Sequence, residues 1–519
     1  MITRPPARPR GPSRPAARGP ARAVGAACKL PRVPHSICLL ASEATPFAKT
    51  GGLADVAGAL TKHLHAAGHD VRLFLPLYAQ VDRAAFGIAP VEGLQDLPLE
   101  FGPRRLRFSV HAAPLPRSGA RAWFIDIPGL FARHTLYTSD PDEHLRFIAF
   151  TRAALETCQR WAWAPQVLHC NDWHTAFGPL LLKTAYAWDR LFDATRTVLT
   201  IHNIGYQGVF AAAQVPDLGI GPSDTARLHQ DDLRAGRVNA LKHGILYADA
   251  ITTVSPTYAQ EIMTPQYGMG LESVLLGRAS QVWGILNGVD YDDWDPRHDR
   301  YLPRHYDPGS LDVKASLKAE LMGRLGLRQR PGTALFGIVS RFSVQKGFDL
   351  LFDTFAPLLA ERDACLVALG SGEAHYEAWF TDLQSRFPGR VVFHCGYSDE
   401  FAHWIEAAAD LFLMPSLYEP CGLNQMYSLR YGTIPIVRRT GGLADSVQMF
   451  DTARGTGTGI VFEHFDAPAM AWALRAGLDL YAQPAAWSQL VQNAMAQDFS
   501  WDRQTREYEA LYRRLTGGH

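Results

Sequence analysis

Two permanent cations, Arg341 and Lys346, stand just ahead of Gly347. A guanidinium fork and an ammonium point charge at the start of a helix suit a diphosphate. Glu419 is followed by Pro-Cys-Gly-Leu423. A carboxylate just before a helix can accept from sugar hydroxyls, and the N–H groups of Gly422 and Leu423 can hold a sugar or phosphate oxygen. The hexapeptide Thr-Gly-Gly-Leu-Ala-Asp occurs twice, at Thr50–Asp55 behind Lys49 and at Thr440–Asp445 behind Arg439. Its paired glycines, Gly51-Gly52 and Gly441-Gly442, uncover backbone N–H groups suited to an anion. The repeat predicts two similar halves facing one another across a cleft.

Other residues read more openly. His202 fits a base, a hydrogen-bond donor or a satisfied core histidine, and Asp172 on the same expected sheet edge brings the functional readings level with the core one. Gly370-Ser-Gly372 is half a dinucleotide fingerprint with His375 in place of the third glycine. That weighs against NAD and leaves a close-approach loop for a sugar nucleotide. Tyr397 fits either stacking on a base or a buried core position. Asp290-Tyr-Asp292 and Asp293-Trp-Asp295 match a D-x-D metal spacing, but in a polar stretch they read as a solvated turn. Cys421 reads as a small buried residue rather than a nucleophile.

The elements that must position these residues alternate. Apolar runs read as buried strands at Ser36–Ala41, Val71–Leu75, Trp123–Ile127, Val167–Cys170, Thr197–Ile201 and Ala250–Val254. A second series follows at Ala334–Ser340, Cys365–Leu369, Val391–Cys395, Leu411–Met414 and Ile434–Val437. Helical periodicity lies between them, including Leu145–Trp161, Thr175–Trp188, Asp349–Ala360, His375–Phe387 and Gly422–Tyr431. Continuous apolar strands alternating with helices predict an α/β fold with two doubly wound, Rossmann-like parallel sheets. Such sheets bind ligands beyond the carboxyl ends of their strands, where the polar residues above fall.

The chain has 519 residues, of which 47% are apolar and 20% charged, and Lys+Arg balances Asp+Glu at 51 each. That composition predicts a soluble multidomain protein and argues against a nucleic-acid binder. No apolar run is long enough for a bilayer. Seven scattered cysteines form no C-x-x-C pair and fit a reducing cytoplasm. Residues 1–34 are rich in Arg, Pro and Ala, and no acidic residue precedes Glu43. They predict a disordered basic extension or a misplaced start codon, and serine is too scarce for a transit peptide.

Taken together, Lys49-Thr-Gly-Gly-Leu53, Asn171-Asp-Trp-His174, Thr200-Ile-His-Asn203, Asn287-Gly-Val-Asp290, Ser340–Gly347, Glu419–Leu423 and Arg438–Leu443 resemble the bacterial glycogen synthases and plant starch synthases. These are retaining glycosyltransferases of the GT-B fold. The likeness runs from about Ser36 to about Leu515 in matching order. It implies an acceptor-side domain over residues 35–283, a nucleotide-sugar domain over 284–499, and a C-terminal helix in 500–519 packing back on the first. It implies transfer of glucose from ADP-glucose to the non-reducing end of an α-1,4-glucan, with no cofactor and no metal. The implied catalytic set is His202, Asp172, Glu419, Arg341 and Lys346. The implied donor site adds Lys49, Gly51, Gly52, Asp55, Asn203, Asn287, Gly370, Tyr397, Cys421, Gly422, Leu423, Thr440 and Gly441.

Departures from the family pattern are small: Asn424 follows the Glu-Pro-Cys-Gly-Leu run, and Asn171 stands where the family has His. Tyr427 occupies the position at which related GT-B transferases carry a second Glu, so a two-carboxylate scheme has no support there. A glucan phosphorylase holding pyridoxal phosphate and a non-catalytic glucan-binding protein are the competing readings.

Overall fold

A computed structural model describes residues 34–517. The basic extension expected over 1–34 lies, apart from Pro34, outside the described residues. From Pro34 onward the described residues build two large sheets and a small antiparallel pair, Val209–Ala211 with Arg237–Asn239. The first has ten strands, seven of them a parallel core in the order 282–284, 250–253, 196–201, 167–171, 36–40, 70–76 and 121–126. Three further strands, 89–90, 97–101 and 104–114, add antiparallel to that edge. The second sheet has six parallel strands in the order 391–395, 364–372, 334–342, 411–414, 434–438 and 460–462. Central strands such as Val167–Asn171 and Leu411–Met414 are buried along their whole length. Coverage on both faces is what a near-continuous apolar run requires.

The parallel strands expected from the sequence are all present, and the differences have local causes. The single helix expected over Thr175–Trp188 is two short ones, Asp172–Thr175 and Gly178–Leu182, because Gly178-Pro179 interrupts the ladder. The helix expected over Asp349–Ala360 divides into Asp349–Phe352 and Phe355–Glu361, where Pro357 cannot donate back to the first turn. The helix expected from Gly422 begins at Asn424. Gly370-Ser-Gly372 is not a loop: strand Ala364–Gly372 runs through it, pairing Gly370 with Ser340 and Gly372 with Phe342. A Cβ at Gly370 would lie 1.9 Å from the Ser340 carbonyl oxygen, so close strand approach accounts for that glycine. The antiparallel strands at 89–114 were not expected, although Leu97, Leu99 and Phe101 and then Leu106, Phe108 and Val110 alternate with polar residues as half-buried strands do.

The last helix, Trp501–Thr516, lies against the first sheet's layer. Trp501, Tyr508, Leu511 and Tyr512 are buried, and each large side chain contributes roughly 1.5–3 kcal/mol of burial. Its Tyr512 hydroxyl bonds His169 Nδ1 at 2.8 Å, while Thr200 Oγ1 bonds His169 Nε2 at 2.6 Å. Full burial pushes His169 down from 6.5 to about 3, so the folded state holds a neutral imidazole. A histidine whose folded pKa is depressed contributes stability above 6.5 and loses it as pH falls from 6.5 toward 3. The His169 ring, assigned by comparison with His169→Gln, should therefore show no NMR titration between pH 5 and 8. A titration midpoint near 6.5 would contradict this packing.

Candidate active site

The carboxyl edges of the two sheets border one cleft of about 1390 Å³. Strand ends of the first sheet deliver Glu43, Asp172 and His202 to it, and those of the second deliver Arg341, Tyr397 and Glu419. Lys49, Gly51, Gly52, Asp55, Asn203, Asn287, Lys346, Gly370, Cys421, Gly422 and Leu423 also line it.

On the second-sheet wall, Lys346 Nζ lies 2.6 Å from Glu419 Oε2, and Ser416 Oγ donates to the same oxygen at 3.0 Å. Glu419 is buried and Lys346 only partly so. The Leu417 N–H donates to the Gln345 carbonyl at 2.9 Å, which holds the lysine loop beside the glutamate loop. Arg341 sits near the exposed end of strand Ala334–Phe342. Cys421 is buried and burial pushes its thiol up, as expected for an inert cysteine. Tyr397 is 63% exposed, so it is not a core residue, and its hydroxyl donates to Asp399 at 2.5 Å.

On the first-sheet wall, Asp172 has a left-handed φ of 53°. Such strain in a non-glycine residue collects at functional sites. Its Oδ1 accepts the His202 backbone N–H at 2.7 Å. Burial raises Asp172 to about 7 against the pull of the His202 and Asn203 N–H groups. The His202 side chain bonds Asn171 Oδ1 through Nε2 at 2.9 Å, and burial lowers its pKa to about 3. His202 is thus a neutral imidazole on the cleft wall with Asn171 as its acceptor. The Nε2–H is therefore spent on Asn171 and Nδ1 is left as an unprotonated acceptor, while the low pKa weighs against a general base. Glu43 follows strand Ser36–Leu40 and lines the same wall. It accepts from the Thr50 N–H at 2.5 Å and Thr50 Oγ1 at 2.8 Å, and burial raises it to about 7. Lys49 pairs with Asp55 at 2.8 Å.

The second hexapeptide does not meet the expectation that Thr440 and Gly441 line the donor pocket. Thr440 and Gly441 do not line the cleft. Thr440 Oγ1 and the Gly441 N–H both donate to Glu261 Oε1, at 2.9 and 3.0 Å, so a carboxylate of the chain itself occupies that helix start. The aspartates of the D-x-D stretch are ion-paired: Asp290 and Asp292 with Lys62, Asp293 with Arg117, and Asp295 with Arg297 and Arg430. Among the described residues no cluster of His, Cys, Asp and Glu is arranged to hold a metal ion. The six described cysteines are free thiols.

Several cleft residues escaped the sequence reading. Trp294 stacks between His403 and Tyr427, with ring centroids 3.7 and 4.0 Å away, and all three line the cleft. The only signal in the sequence was the tryptophan inside the D-x-D stretch, and its partners lie more than a hundred residues on. Tyr206, 56% exposed, and Tyr137, stacked on His174, line the first wall.

Two family models match. Residues 36–277 match the starch synthase catalytic domain, and residues 333–479 match glycosyl transferases group 1. A glycogen synthase of Anaeromyxobacter dehalogenans (strain 2CP-C) is 43% identical over 490 residues, covering 92% of this chain and 99% of that protein. A glycogen synthase of Koribacter versatilis (strain Ellin345) is 43% identical over 482 residues, covering 92% and 97%. Among solved structures, the catalytic domain of starch synthase IV from Arabidopsis thaliana, bound to ADP and acarbose, superposes with a TM-score of 0.85 at 34% identity. It covers 93% of this chain and 100% of that one. Two facing α/β domains with the cleft between them are the GT-B arrangement, and the chain belongs to the glycogen and starch synthase family of hexosyltransferases.

Proposed function

We propose that the cleft transfers glucose from ADP-glucose to the non-reducing end of an α-1,4-glucan with retention of configuration, in the cytoplasm. The observation that carries this reading is the convergence of Arg341, Lys346 and Glu419 on one wall with Lys49, Asp172 and His202 on the other. The relative bound to ADP and acarbose supports a nucleotide and a sugar chain as the ligands. In this reading residues 284–499 hold the donor, residues 35–283 hold the acceptor, and the final helix belongs with the acceptor half.

The mechanism follows from charge. Breaking the anomeric C–O bond leaves negative charge on the diphosphate and positive charge on the ring. Arg341, Lys346 and Lys49 stabilise the first, and preorganised groups of this kind are worth about 10²–10³ in rate each. Ser416 and Lys346 both engage Glu419 Oε2, leaving Oε1 for a glucose hydroxyl. The oxygens of Asp172 and the His202–Asn203 loop face the developing oxocarbenium ion. With Tyr427 in place of a second carboxylate, the acceptor attacks from the face that the diphosphate leaves. The departing phosphate takes the proton of the acceptor hydroxyl. Closing the cleft excludes water and favours the glucan as acceptor.

The direct test offers the protein ADP-glucose or UDP-glucose, with and without glycogen, in excess EDTA. Glycogen-dependent release of ADP from ADP-glucose is expected. Release of UDP alone, no release, or turnover restored only by Mn²⁺ would overturn the reading. Lys346→Ala should lower turnover at least about tenfold. It should also reduce thermal stability, because Glu419 is then buried without its cation. Near-normal turnover with an unchanged circular dichroism spectrum would remove Lys346 from the diphosphate site.

A further inference from the structure

The second Thr-Gly-Gly-Leu-Ala-Asp stretch is used in a contact between the two halves of the chain. Helix Gly441–Ser446 packs against helix Pro256–Glu261, and each is capped by a carboxylate of the other. Glu261 Oε1 accepts from Thr440 Oγ1 at 2.9 Å and from the Gly441 N–H at 3.0 Å. In return Asp445 accepts from the Thr257 N–H at 2.8 Å and from Thr257 Oγ1 at 2.7 Å. Anions at uncovered helix starts are favourable, and here the favour is reciprocal.

The same helix is joined to the sugar-side loop of the cleft. The Gly442 N–H donates to the Glu419 carbonyl at 3.1 Å. Gly441 has a φ of +42°, and a Cβ there would lie 1.9 Å from the Glu419 carbonyl oxygen. A Cβ on Gly442 would lie 2.2 Å from the Cys421 carbonyl oxygen. From the other side, Ser255 Oγ donates to the Pro420 carbonyl at 2.7 Å. Ser255 and Thr257 follow strand Ala250–Thr253, whose neighbour Arg196–Ile201 leads into His202. A chain of bonded groups therefore runs from the His202 wall through the paired caps to the backbone of Glu419.

We propose that Glu261 and Asp445 are positioning residues, whose reciprocal caps hold the Glu419–Leu423 backbone in register with the wall that carries Asp172 and His202. The proposal rests on the reading that this cleft transfers glucose. Neither residue touches the reacting atoms. Their effect is to keep donor cleavage coupled to the glucan, since a displacement of about 1 Å in a site of this kind can cost on the order of 10² in rate. Among the described residues Glu261 Oε2 is buried without a hydrogen-bond partner. Glu261→Gln therefore keeps both bonds accepted by Oε1.

The test compares wild type, Glu261→Ala, Asp445→Ala, the double alanine variant and Glu261→Gln, each checked for folding by circular dichroism. Both kcat and KM for ADP-glucose are measured, together with the fraction of ADP released without glucan extension. Each alanine variant should lower kcat about tenfold with little change in KM, and should raise the unproductive fraction. The double variant should lose less than the product of the two single losses, because the caps act as a unit. Glu261→Gln should recover most of kcat and of the coupling. Should the alanine variants fail to fold, Thr257→Val, which removes one of the four bonds and no charge, should show the same changes in smaller measure. Wild-type kcat and coupling in the folded variants, with only the melting temperature lowered, would overturn the proposal, and so would a glutamine variant as defective as alanine. A wild-type protein that extends no glucan would instead overturn the functional reading on which this role depends.

Discussion

The carboxyl edges of two parallel sheets border one cleft, and the polar groups of the site reach it from the strand ends and the loops that follow them. Strand direction in a parallel sheet is uniform, so every strand that ends there brings its loop to the same side. Seven parallel strands on one side and six on the other therefore concentrate charge and hydrogen-bonding groups in a volume of about 1390 Å³. The rest of the chain keeps these edges opposed. The final helix braces the first sheet through Tyr512 and His169, and the Lys62 and Arg117 ion pairs tie the polar stretch at 290–293 to the first half.

The two walls differ electrostatically in a way that suits a reaction separating charge. The first wall is desolvated: burial lifts Glu43 and Asp172 to about 7 and holds His202 neutral. Near neutral pH His202 is a neutral dipole, and the two carboxyls lie close to their midpoints. The second wall offers a fixed guanidinium and an ammonium beside a buried carboxylate. In the proposed reaction the departing diphosphate lies mainly against the second wall, with Lys49 reaching it from the first, and the sugar ring gaining positive charge lies beside the oxygens of the first.

Much of this was legible in the sequence because it depended on local pattern. Arg341, Lys346, Glu419, Asp172 and His202 each follow an apolar strand, and the rule for open sheets placed them on one edge without knowledge of tertiary contacts. What could not be read depended on distant partners. The two hexapeptides are identical in sequence, yet Gly51-Gly52 lines the cleft and Gly441 faces Glu261, 180 residues away. The glycines of Gly370-Ser-Gly372 looked like a phosphate loop because close approach of two strands demands the same residue as close approach of a ligand. Helices read from periodicity alone ran past Pro179 and Pro357, each of which instead sits in the first turn of a new short helix.

The central claim is that both walls hold one ligand, with a lysine from each half reaching the same diphosphate. Titration calorimetry of ADP against wild type, Lys49→Ala and Lys346→Ala tests it most directly. The account predicts that each substitution weakens ADP binding about tenfold or more, as expected for loss of a cation contacting phosphate. An ADP affinity left unchanged by Lys49→Ala and lowered only by Lys346→Ala would contradict it, and would confine the nucleotide to the second half of the chain.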